Sequence, residues 1–156
     1  MMSKYRNHRL MYSYEYPHPA VTVDVSVFTW QGNQLKLLLI QRANDPHKGK
    51  WALPGGFIDI DEDLEAAARR ELKEETGLDV DNIEQLHTFG NPDRDPRERV
   101  ITIVYTSVVS NQFQVNAASD AAKAEWFNIE ALPELAFDHS QIIKLACEKI
   151  ITKMKI

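Results

Sequence analysis

The sequence predicts an α/β fold in which a mixed β-sheet lies between helices, an α/β/α sandwich. Three observations carry this. Residues 20–29, AVTVDVSVFT, alternate Val21, Val23, Val25 and Val27 with polar neighbours, the period of a strand. Residues 100–109, VITIVYTSVV, repeat that β-branched signature. Segments 63–76 and 140–154 have helical spacing but opposite character, the first charge-rich, the second setting Ile142, Ala146 and Ile150 four residues apart.

The remaining elements follow in order. Residues 31–34, QGNQ, are turn chemistry, and LKLLLIQ after them reads as a strand buried on both faces, so 20–29 and 35–41 should pair as a hairpin. A polar loop at 44–50 leads to WALPGGF, a short strand broken by Pro54 and a glycine pair. Gly77 is placed to end the first helix. Residues 79–89 form a weaker strand candidate, 90–99 a charged loop with two prolines, and 125–128 a last short strand. Residues 20–156 are thus expected to form a single domain behind an N-terminal extension, 1–19.

Composition narrows the function classes. The chain of 156 residues is 44% apolar with one cysteine, Cys147, which cannot form an intramolecular disulfide, so a reducing, cytoplasmic setting is expected. The longest unbroken apolar run, 37–40, is far short of the roughly 20 residues of a membrane span. The net charge of −5 and the lack of a Lys/Arg cluster argue against nucleic acid as a partner. The acidity is local: residues 59–75 hold eight acidic and three basic side chains, leaving 15 of each sign elsewhere.

The direction of those acids matters more than their number. With Leu64 at zero and about 100° per residue, Glu71 falls near 340° and Glu75 near 20°, on the stripe of Ala67 and Ala68, with Glu74 flanking near 280°. Glu62, Arg69 and Lys73 fall at about 140–180°, the solvent side, and Arg70 near 240°, within reach of Glu74. Carboxylates turned toward the protein body need a counter-charge, and one arginine cannot serve them all. A divalent cation is the economical answer. An all-oxygen set without Cys or His suits Mg²⁺, with Mn²⁺ as the substitute, and Mg²⁺ commonly shares its shell with substrate phosphates. Gly55 and Gly56, just before the helix, allow a ligand to approach the backbone.

The spacing of Gly56, Glu62, Arg70, Glu71, Leu72, Glu74, Glu75, Gly77 and Leu78 resembles the signature of the Nudix hydrolase family at every specified position. The resemblance implies the family's sandwich fold and hydrolysis of a nucleoside diphosphate linked to a moiety X. It implies that Glu71, Glu74 and Glu75 bind metal and act in catalysis, with the Gly56 carbonyl as a further ligand and Arg70 as an orienting cation. Glu62, computed to point outward, is expected to be structural. The general base is left open between Glu71, Glu75 and a residue outside the signature.

Substrate choice must come from outside the signature. Pro92, fifteen residues after Gly77, the segment FGNPDRDPRERVITIVY and the segment LAFDHSQII are similar to those of bacterial ADP-ribose pyrophosphatases. That resemblance implies ADP-ribose as substrate and a homodimer as a possible assembly. Arg42 is a candidate phosphate partner and Phe57 a candidate base-stacking residue. Arg94, Arg97 and Arg99 could hold phosphate or ribose, or could solvate a loop, and His139 could touch ligand or not. Asp138 or Ser140 is expected to cap the last helix, and Trp51 to lie in the core. Three alternatives compete: a housecleaning pyrophosphatase of oxidised or noncanonical nucleoside triphosphates, a non-catalytic ADP-ribose-sensing module, and an acidic interaction surface without chemistry. The chain's end two residues after Met154 and its intact signature predict an enzyme rather than a sensor.

Overall fold

The computed structural model describes residues 11–110, 115–118 and 121–155. The described strands are β1 (Ala20–Gln31), β2 (Gln34–Arg42), β3 (Trp51–Ala52), β4 (Gly55–Phe57), β5 (Glu84–Phe89), β6 (Val100–Val109) and β7 (Ala121–Asn128), and the helices are α1 (Leu64–Thr76) and α2 (His139–Met154). The central order is β3-β2-β1-β6-β5, with β4 beside β1 and β7 beside β2. The β1–β6 pair is parallel and the other pairs are antiparallel, so the sheet is mixed as expected.

Alternation along the strands divides the core in two. Val23, Val25, Val27, Leu38, Ile103 and Tyr105 meet Ala67, Ala68 and Leu72 of α1. Phe28, Leu37, Leu39 and Val104 meet Ile142, Ile143, Ala146 and Ile150 of α2. Each helix covers one face, which is the expected sandwich.

The β1–β2 hairpin forks. The two strands pair only from the turn back to Phe28 and Leu37. Beyond that point β1 pairs with β4 through Thr22–Asp24, while β2 pairs with β3 through Ile40 and Gln41. The other edges of β1 and β2 are held by β6 and β7, so both strands stay paired on one side along the open fork. WALPGGF is therefore two strands, one on each prong. Pro54 between them cannot donate to a ladder, but its carbonyl accepts the Val25 N–H at 2.8 Å.

Other boundaries moved for identifiable reasons. Leu78 and Val80 enter the core as loop, so β5 starts at Glu84 rather than near 79. The strand read at 125–128 begins at Ala121, because β2 offers pairing partners as far as Arg42 and pairing overrides the weak β-propensity of AAKA. Asp63 caps α1, accepting the Glu65 N–H at 3.2 Å, and Gly77 closes it with a bond to Lys73 O. Asp138 precedes α2 but makes no capping hydrogen bond through its side chain, contrary to the capping expectation. Trp51 is half-buried on the α2 side, edge-on to Phe127 at 4.7 Å. Among the described residues no helix is long and apolar enough to cross a membrane.

Candidate active site

The fork of the hairpin opens into a cleft of about 480 Å³. One wall is built by residues 55–59 and by Glu75 of α1, the other by Arg42 and its loop, the 94–97 turn, and Phe137 with His139.

The α1 wall keeps the inward direction read from helical periodicity. Glu71 is fully buried and Glu75 is 4% exposed, on the same face as Ala67, Ala68 and Leu72. The Gly55 N–H donates to Glu75 Oε1 at 2.8 Å. Glu71 lies so close to Gly56 that a Cβ there would stand 2.5 Å from its Oε1, so no larger residue fits unless the carboxylate moves. Arg70 is the hub of this wall. Its Nη1 reaches Glu71 Oε1 at 2.9 Å and Glu74 Oε2 at 3.3 Å, the latter as the spacing predicts.

Glu62 is where the projected angle failed. It precedes the helix, so 100° steps do not apply to it, and its chain turns back onto Arg70. Glu62 Oε1 accepts from Arg70 Nε at 2.6 Å and Oε2 from Nη2 at 2.8 Å, a two-pronged pair that is largely buried. The expected outward direction of Glu62 is thereby corrected. The Arg70 hydrogen bond holds the Glu62 carboxyl below its ordinary range, and the same bond raises Arg70.

Among the described residues no three Asp, Glu, His or Cys side chains stand as a ready-made coordination cluster. The carboxylates are instead spread over protein donors: Glu71 and Glu74 on Arg70, Glu75 on Gly55. The donor set is nonetheless all oxygen, acidic and inward-facing, and the cradle above Gly56 is filled by carboxylate. Hard oxygen donors of this kind fit a divalent cation such as Mg²⁺ or Mn²⁺ and do not fit zinc.

The opposite wall is basic and aromatic. Arg42 closes β2, and its Nε donates to Pro46 O at 2.7 Å and its Nη2 to Asn44 O at 3.5 Å. Burial, reinforced by the nearby Arg97, lowers its pKa. Arg97 is forked onto Asp95, with Nε 3.0 Å from Oδ1 and Nη2 2.8 Å from Oδ2. The Phe137 ring lies between the two guanidinium groups, 4.9 Å from Arg42 and 5.7 Å from Arg97, and Arg97 also faces Phe57 at 5.2 Å. Phe57 is partly exposed at the rim.

Three sequence-predicted residues behave differently. The Arg94 fork is spent on Asp138, at 3.0 and 2.8 Å, so it ties the 90–99 loop to α2 rather than presenting an open guanidinium. That pair also explains why Asp138 is not a cap. Arg99 reaches the Gly90 carbonyl outside the cleft lining. His139 borders the cleft but is 3% exposed, and its Nδ1 accepts the Leu53 N–H at 3.0 Å. Burial lowers its pKa, so the ring is neutral.

Sequence reasoning missed Asp24, Asp95 and Phe137, all of which line the cleft. A carboxylate in the middle of a valine-rich strand was a usable signal for Asp24. Phe137 lies within the LAFDHSQII segment, but its place in the cleft depends on a backbone φ of +49° that only the folded chain shows.

Comparisons with known proteins agree with this geometry. A NUDIX domain is matched over residues 19–146. An ADP-ribose pyrophosphatase of Methanocaldococcus jannaschii is 47% identical over 129 residues, 83% of this chain and 73% of that one. The ADPR responsive transcriptional repressor NtrR of Acinetobacter baylyi is 39% identical over 145 residues, which are 90% of this chain but span only 58% of the repressor. Among solved structures, the NUDIX domain of Shewanella oneidensis NrtR complexed with ADP ribose superposes with a TM-score of 0.83 at 37% identity, covering 96% of this chain and 99% of that one. With most of its length matched, its sheet and helices in the same arrangement and the signature glutamates Glu71 and Glu75 buried on the inner face of α1, the chain belongs to the NUDIX family.

Proposed function

We propose that this protein hydrolyses the diphosphate of a nucleoside diphosphate linked to X, with ADP-ribose as substrate and AMP and ribose 5-phosphate as products. The observation that carries the reading is the pair of buried carboxylates one turn apart on α1, Glu75 lining the cleft and Glu71 packed behind its Gly56 wall, opposite a wall that is cationic. Buried acids facing arginines across a gap suit a ligand that brings both anionic phosphates and a bound cation.

Glu71, Glu74 and Glu75, with the Gly56 carbonyl, would hold the cation. Once bound, Mg²⁺ or Mn²⁺ supplies Lewis-acid polarisation of the diphosphate and lowers the pKa of a coordinated water. Arg70 orients the carboxylates, and Glu62 holds Arg70. Of the candidate bases, Glu75 lines the cleft and would accept the proton of the attacking water as that water's oxygen bonds to phosphorus and the bridging P–O bond breaks. Arg42 and Arg97 face the phosphates and terminal ribose, and Phe57 and Phe137 offer faces to the base. ADP-ribose is favoured over an oxidised nucleoside triphosphate by the names of the two relatives and the ligand of the Shewanella neighbour.

The test is Mg²⁺-dependent hydrolysis of ADP-ribose, NADH, diadenosine polyphosphates, nucleotide sugars and 8-oxo-dGTP, compared by kcat/KM. ADP-ribose should lead and release AMP. A lead for 8-oxo-dGTP would replace the substrate while keeping the chemistry. The likeness to a repressor supports a second reading, ADP-ribose sensing. Tight binding of ADP-ribose without turnover at any metal concentration would favour it.

A further inference from the structure

We propose that His139 and Asp24 are positioning residues that fix the Leu53–Gly56 segment and, through it, the carboxylate of Glu75. This rests on the hydrolytic reading of Glu75 given above.

The contacts form one chain from α2 to α1. His139 is the first residue of α2 and is buried. Its Nδ1 accepts the Leu53 N–H at 3.0 Å, a backbone donor with no ladder partner at the break between β3 and β4. With Nδ1 an acceptor on a neutral ring, Nε2 carries the proton, and it faces Asp24 Oδ1 at 3.7 Å. Asp24 is fixed from its other side, where Thr102 Oγ1 on β6 donates to Oδ2 at 2.6 Å. It also pairs in register with Gly55, packed so closely that a Cβ on Gly55 would collide with Asp24 Oδ1 and the Val23 carbonyl. Gly55, pressed onto Asp24 below, offers its N–H upward to Glu75 Oε1 at 2.8 Å.

The two residues thus hold the segment at both of its ends. His139 anchors it at Leu53, and Asp24 sets the height of Gly55. Both residues border the cleft but are buried, Asp24 7% and His139 3% exposed, and a buried imidazole with both nitrogens directed at protein groups is spent on geometry.

The two arms of the imidazole can be separated by substitution. His139→Asn keeps an acceptor at the δ position for Leu53, His139→Gln keeps a donor at the ε position for Asp24, and His139→Ala keeps neither. Hydrolysis of ADP-ribose with Mg²⁺ and amide hydrogen exchange over residues 53–56 are measured for each, in the full chain. Expected is a fall in kcat of tenfold or more for His139→Ala, with KM within twofold and faster exchange at Leu53 and Gly55. His139→Asn should recover slow exchange and most of kcat. A rise in KM at constant kcat would overturn the proposal by making His139 a ligand contact, and so would unchanged exchange in His139→Ala or failure of both conservative variants to recover any kcat. If the parent protein hydrolyses no substrate, the hydrolytic reading fails on that result alone, while the exchange measurement still decides whether His139 holds the segment.

Discussion

The two walls of the cleft are encoded in different ways. The acidic wall comes from one stretch of 23 residues, Gly56 to Leu78, whose helical period sets its geometry before any tertiary contact is considered. The basic wall is assembled from Arg42, Arg97 and Phe137, separated by tens of residues and brought together by the fork of the hairpin, the Arg94–Asp138 pair and a left-handed backbone at Phe137. On the proposed function, the residues of the chemistry are local in sequence and those of substrate selection are not. Substitutions in the first wall should act on turnover, and substitutions in the second on affinity.

The largest expected effect tests the first half of that statement. Glu75→Gln keeps the volume and the hydrogen bond from the Gly55 N–H but removes the charge and the basic oxygen. We expect the fold to persist, by an unchanged urea midpoint, and kcat to fall by about 10²-fold or more, the scale of a lost general base. Full activity in this variant would break the comparison at its strongest point.

Arg42→Ala tests the second half. Loss of one charge-assisted hydrogen bond to a phosphate costs about 1.5–3 kcal/mol, so kcat/KM should drop about 10- to 150-fold, carried by KM. A fall in kcat with KM unchanged would move Arg42 from recognition to chemistry.

Glu62→Gln should do less than either. The amide keeps one acceptor for Arg70 and loses the charge-assisted part of a two-pronged pair, about 1 kcal/mol, for a loss in kcat of about tenfold or below. If this variant were inactive while Glu75→Gln was not, the roles of the two glutamates would be exchanged.

The same contrast explains what the sequence disclosed. Periodicity placed Glu71 and Glu75 inward because both lie within one regular helix. It misdirected Glu62 because that residue sits before the N-cap Asp63, where the helical angle has no meaning. The two helices and the long strands were legible from their patterns. The division of WALPGGF between two prongs was not, since it depends on β1 and β2 parting company at Phe28 and Leu37. Arg94 and Asp138 were each visible as charged residues, yet only a contact across 44 positions shows that they neutralise one another.

The smallest effect separates the walls by pH. His139, beside the basic wall, has its pKa lowered from an ordinary 6.5 by burial, so the folded chain keeps it neutral while the unfolded chain takes up a proton. Below pH 6.5 the unfolded state therefore binds more protons, and the contribution of His139 to stability shrinks as pH falls from 6.5 toward its folded value. Glu62, on the acidic wall, is lowered from 4.5 by its Arg70 hydrogen bond. Its contribution is complete above pH 4.5 and is lost only as pH falls below that, through its folded value. Both losses run in the acid direction but start at different points. Urea unfolding between pH 7 and 5 should thus show a decline in the parent that His139→Asn flattens and Glu62→Gln leaves in place. Were Glu62→Gln to flatten that window instead, the titration would belong to the acidic wall and not to His139.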